Sequence, residues 1–150
     1  MSVINILVVI HVLSGALWFG GPLMVGSTLK KAQPHGRPAF AAAAGVASRM
    51  AMLGSVGALL SFLTGVGLIF MKYGGMKGLP VRFHIAMGLG MVATGVGFGL
   101  IKLTAGKLAT AAAADSYDPS AAVPSIKRLS MGVGINHLLW LICLVLMFAY

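Results

Sequence analysis

Acidic residues are almost missing: Asp115 and Asp118 are the only two among 150 residues, and there is no glutamate. Both fall outside the long apolar runs. The apolar part of the chain therefore cannot assemble the paired carboxylates of a glycosidase, a zinc site of the His-Glu type or a serine–histidine–acid triad. A carboxylate-lined proton or cation path is excluded on the same ground. A single cysteine, Cys143, rules out an internal disulfide and leaves the redox compartment unmarked. Charged residues of both signs make up 9% of the chain, where soluble domains carry roughly 25%.

What fills the space is apolar: 59% of residues are hydrophobic and the mean hydropathy is +0.98. Four uncharged runs, Val3–Gly26, Ala51–Met71, Phe83–Ile101 and Met131–Tyr150, each have about the 20 residues that cross a hydrocarbon core. The expected fold is all-α: an integral membrane four-helix antiparallel bundle, one transmembrane domain over 1–150. No Lys or Arg precedes the first run, which is also too long for a signal-peptide core, so it reads as a retained helix. Ala-rich sequence from Pro38 onward should start the second helix well before the membrane, and KYGGMKGLPVR should close a tight hairpin. A second Ala-rich stretch should extend the third helix, Asp118-Pro119-Ser120 marks a turn, and Pro124 should open the fourth helix.

The net charge is +9, all of it in loops and flanks. No aromatic-interleaved basic patch is present, so nucleic acid is not the expected partner; lipid headgroups and membrane topology account for the excess. Lys30, Lys31, Arg37, Arg49, Lys102, Lys107, Lys127 and Arg128 flank the two long loops, against Lys72, Lys77 and Arg82 at the short one. Eight against three places the long loops in the cytoplasm and both termini outside, in a bacterial-type inner membrane.

Imidazole is the remaining source of chemistry. His35 lies between Pro34 and Gly36 in a loop and reads as solvated, but His11, His84 and His137 lie in or at the edge of spanning runs, where an ionisable residue needs a reason. At 1.5 Å of rise per residue, His84 sits near the outer surface, His11 about 12 Å down and His137 about 20 Å down, counted back from Tyr150. Two imidazoles on facing helices, walled by apolar and aromatic side chains, suit haem iron. His11 with Ser14, Gly15 and Trp18, and His137 with Asn136 and Trp140, fit that best; His84 with His11 is the competing pair. Copper is the alternative, because His84, Met87 and Met91 recur at i, i+3 and i+7 and thioethers suit Cu(I). Each histidine taken alone is also explained by an interhelical hydrogen bond. The glycines follow the same double logic: Gly57/Ser61/Gly65, Ala93/Gly97 and Gly95/Gly99 form small faces that suit close helix packing, dimerisation or room for a flat macrocycle.

The stretches HVLSGALWFGGPLMVG, GSVGALLSFLTGVGLIF, VRFHIAMGLG and GINHLLWLICLVLMF resemble the HemJ-type protoporphyrinogen oxidases and the CopD-like copper-resistance membrane proteins. The resemblance implies a haem role for His11, whose position matches the family's first-helix histidine. The lysine that HemJ-type proteins carry soon after the third-helix His-Ile falls on Ala86, a departure that argues against porphyrinogen oxidation. His137 looks like an addition, favouring bis-histidine ligation. The CopD-like side of the resemblance implies copper handling by His84 and the methionines. The expected function is that of a b-type haem protein for electron transfer, exchanging electrons with a quinone or a redox partner protein, alone, as a homo-oligomer or as a complex subunit. Enzymatic turnover is left open.

Overall fold

The computed structural model describes residues 2–148; Ala149 and Tyr150, the last two residues of the fourth predicted run and the point from which the depth of His137 was counted, lie outside the described residues. Four helical rods form an antiparallel bundle, each long and apolar enough to cross a membrane. The protein is thus a multi-pass membrane protein.

The first rod begins with α1 (Val3–Gly20), started by Ser2, whose hydroxyl accepts from the Asn5 N–H at 3.3 Å. It is not one unbroken helix to Gly26 as the apolar run suggests. Pro22 has no N–H to continue the ladder, so Gly21–Met24 turn and α2 (Val25–Ala32) starts afresh. The second rod, α3 (Arg37–Tyr73), is one helix of 37 residues, about 55 Å long. It ends at Gly74, whose left-handed φ of 71° only glycine adopts freely. Gly75 and Gly78 carry the rest of the hairpin turn, as its composition implied.

The third rod is α4 (Val81–Val96), a π-helical stretch Gly97–Lys102 and α5 (Leu103–Ala112) on one continuous path. The Ala-rich extension of this helix is present; the widened turn inside it is not visible in the sequence. A short 3-10 turn over Pro119–Ala122 leads into α6 (Val123–Phe148), with Pro124 in its first turn.

The two ends of the bundle differ. The loop end holds the connections near residues 33–36 and 113–118; the terminal end holds the start of α1, the end of α6 and the 74–80 turn. At the loop end, Leu29, Phe40 and Leu129 are fully buried among Ala44, Ala112 and Ala122. Arg37 ties the two long connections by donating to Asp115 at 2.7 Å and to the Ala114 carbonyl at 3.3 Å. Halfway along, α1 lies directly on α3. A Cβ on Gly57 would sit 2.6 Å from the Trp18 nitrogen and 2.8 Å from the Ser14 oxygen, and one on Gly21 would sit 2.9 Å from the Gly54 nitrogen. Backbone meets backbone there, which in a membrane replaces the hydrophobic effect as the source of attraction.

Candidate functional site

Toward the terminal end the four helices part around a cavity of about 650 Å³. His11 lines it from α1, Phe62 and Lys72 from α3, Ala86 and Met87 from α4, and Cys143 from α6. The His11 ring is held tightly. Its Nδ1 lies 2.9 Å from the Ser61 carbonyl oxygen and 3.2 Å from the Thr64 hydroxyl. A carbonyl can only accept, so Nδ1 carries the proton. The Thr64 hydroxyl already donates to the Leu60 carbonyl at 2.6 Å and so offers His11 a lone pair as well. That tautomer leaves Nε2 as the electron-pair donor of the ring. Gly65 leaves the space the ring occupies, since a Cβ there would lie 3.1 Å from His11 Cε1.

His137 is engaged elsewhere. Its Nε2 donates to the Phe19 carbonyl at 2.8 Å, and its ring packs on the Phe19 ring at 4.7 Å between centroids. Phe19 also packs on Trp140 at 4.7 Å. Phe19 is eight residues beyond His11 on α1, about 12 Å along the axis. The structure therefore does not bring the two imidazoles to one point: each is anchored to a different carbonyl, two turns apart.

The other expected site residues divide similarly. Asn136 is fully buried, accepting from Trp18 Nε1 at 2.9 Å and donating to the Ala93 carbonyl at 3.0 Å, the amide orientation both partners require. It links α1, α4 and α6 with every polar atom paired, the condition for a polar group inside a membrane bundle. Trp18 touches the cavity on its other side. Ser14 is buried in the α1–α3 crossing, and Gly15 leaves room for Ser61 and Trp140, each 3.8 Å from where its Cβ would be. His84 is exposed and absent from the cavity wall; Met91 is 63% exposed, while Met87 faces the cavity. The three possible copper ligands thus do not converge. Among the described residues no group of three or more His, Cys, Asp or Glu side chains lies together.

Sequence reasoning missed Ser61 and Thr64 as the partners of His11, and Phe62, Lys72 and Cys143 as cavity residues. A signal existed for the first pair: a serine and a threonine three residues apart share one face of a helix. Cys143 contacts the Ala86 carbonyl at 3.6 Å, bridging the two walls of the cavity that α4 and α6 supply. At the cavity's outer edge Lys72 lies 5.7 Å from the Tyr73 ring centroid, and Tyr73 packs on Phe83 at 5.6 Å. No family model, curated protein or solved structure matches the chain.

Proposed function

We infer that the protein is a membrane-embedded b-type haem protein for single-electron transfer, with His11 as its protein ligand. One observation carries this reading: the Nδ1–H of His11 is fixed on the Ser61 carbonyl, so Nε2 is the donor of a half-buried imidazole on the wall of an apolar cavity. Metal-ligating histidines are held in this way, with the second ring nitrogen donating to a carbonyl that fixes the tautomer and raises basicity. The cavity has room for a flat macrocycle, and apolar side chains such as Phe62 and Met87 make its walls. Lys72, exposed at the edge of the cavity, would pair with acidic substituents of such a ring.

Bound haem supplies one-electron chemistry, at a potential set by axial ligand, burial and nearby hydrogen bonds. The chain's own residues do the rest. His11 would hold and orient the group, and Ser61 and Thr64 fix the imidazole ring. Met87, whose thioether lines the same cavity, would be a second, soft donor to such a group. His137 keeps a structural role, closing α6 onto the end of α1. A quinone in the bilayer or a larger redox complex is the matching electron partner. The loop charges favour an orientation with both termini outside. Ala86, where a HemJ-type oxidase would carry lysine, lines this cavity, so the pocket offers no amine there and electron transfer is favoured over oxidation of a porphyrinogen.

The test is a reduced-minus-oxidised visible spectrum of the protein purified from a haem-replete host, with haem quantified as its pyridine complex. Sharp α and β bands are expected, lost in His11→Ala and kept in His137→Ala. Met87→Ala should keep haem and change its coordination spectrum. A colourless wild-type protein, or full haem content in His11→Ala, sinks the assignment.

A further inference from the structure

A second recess lies on the outside of the bundle, away from the His11 cavity. It is a groove of about 720 Å³ between α3 and the start of α5, with Arg49, Lys102 and Lys107 around it and Met52, Leu53 and Leu103 on its floor. The three cations have no carboxylate to answer them: the one salt bridge among the described residues is Arg37–Asp115. The other acid, Asp118, is held by the Ser120 amide and hydroxyl. Lys102 instead lies over the Phe98 ring at 5.2 Å.

The level of this groove follows from the sequence of α3. Arg49 and Lys72 bracket the uncharged stretch 51–71, which is about the length that crosses a hydrocarbon core. Arg49 therefore lies where α3 leaves the lipid, and Lys102, which ends the uncharged stretch 83–101, lies there on the third rod. Met52 and Leu53, one turn deeper, face the acyl region. Cations in the headgroup layer above an apolar wall in the acyl layer match a single kind of molecule.

We propose that this groove binds an anionic phospholipid, its phosphate among Arg49, Lys102 and Lys107 and an acyl chain along Met52 and Leu53. Basic recesses between spanning helices on the positively charged side of a membrane protein are suited to such headgroups. The groove is separate from the haem reading and stands or falls without it.

The experiment is native mass spectrometry of the intact protein released from detergent micelles doped with equal amounts of phosphatidylglycerol or phosphatidylcholine. The wild type should retain phosphatidylglycerol preferentially. Each cation near an anionic surface is worth about fivefold in affinity, so R49Q/K102Q/K107Q should lower that retention by about two orders of magnitude. The charge-preserving R49K/K102R/K107R should keep it, as should K72Q/K77Q/R82Q at the other end of the bundle. Equal retention of both lipids would reduce the groove to a plain acyl slot and overturn the proposal. So would a loss of less than about tenfold in the Gln variant, a matching loss in either control variant, or displacement of the lipid by inorganic phosphate alone.

Discussion

At the loop end of the bundle Phe40, Leu29 and Leu129 are buried completely among alanines; at the terminal end the same four rods stand apart around His11 and a cavity of about 650 Å³. The difference follows from the solvent each end meets. About 30 Å of hydrocarbon covers only the part of α3 between Arg49 and Lys72. The remainder, with α2, α5 and the start of α6, extends beyond it, where burying apolar area is favourable and alanine allows helices close approach. Inside the lipid that driving force vanishes, because the tails are as apolar as any side chain. Cohesion there comes from Gly21, Gly54 and Gly57 in the α1–α3 crossing and from the Asn136 bridge, and a cavity next to them costs little.

Substitutions at the two ends should therefore behave differently. The largest effect belongs to the loop end: Phe40→Ala should lower unfolding stability by about 3–5 kcal/mol, read from denaturation in detergent. Ala86→Leu, which fills the cavity instead of making one, should cost under about 1 kcal/mol while abolishing haem retention. Equal destabilisation by the two would erase the distinction. Next comes Gly57→Ala, whose new methyl meets α1 backbone at 2.6 Å; a cost of about 1–3 kcal/mol is expected, against almost none for Gly67→Ala, where the nearest atom is a leucine methyl at 3.9 Å. Asn136→Leu leaves the Trp18 indole N–H unpaired and the Ala93 carbonyl with only its helical partner, the Gly97 N–H, and should cost about 1 kcal/mol, within the measured range for hydrogen bonds between membrane helices.

The smallest effect is one of pH at the loop end. The Ser120 hydroxyl and amide hold the Asp118 carboxyl below its ordinary value. A depressed folded value means the contribution is complete above the unfolded pKa, near 4, and is lost as pH falls through the folded one. The protection of the Ser120 amide, its exchange rate taken relative to the intrinsic rate at each pH, should fall in that acid window and not between neutral pH and about 5. Asp118→Asn should remove the dependence.

How much of this could be read beforehand follows the same division. Charge gaps located the four rods, Ala-rich sequence announced the overhang of α3 and α5, and glycine composition marked the turn at 74–80. Those signals survive because charge and backbone freedom mean the same thing in any solvent. Facing did not survive. Helices that are apolar all round give no periodicity to say which side meets a neighbour, so His11 and His137 looked equally able to meet across one iron. Their carbonyl partners, Ser61 and Phe19, are main-chain groups that no side-chain pattern reveals. The break at Gly21–Met24 was legible in Gly-Gly-Pro but was outweighed by the unbroken apolarity on either side.

The wide turn at Gly97–Lys102 acts on the third rod as a change of phase. One residue added to a helical path rotates everything after it by about 100°. Upstream, that rod turns Ala86, Met87 and Gly90 to the cavity; downstream, it turns Ala105, Leu108 and Ala112 to the alanine core. Two unrelated sets of neighbours are thus served by a single rod because the winding slips once between them. Deleting one residue from the slip should leave both halves helical and set one of them facing the wrong way.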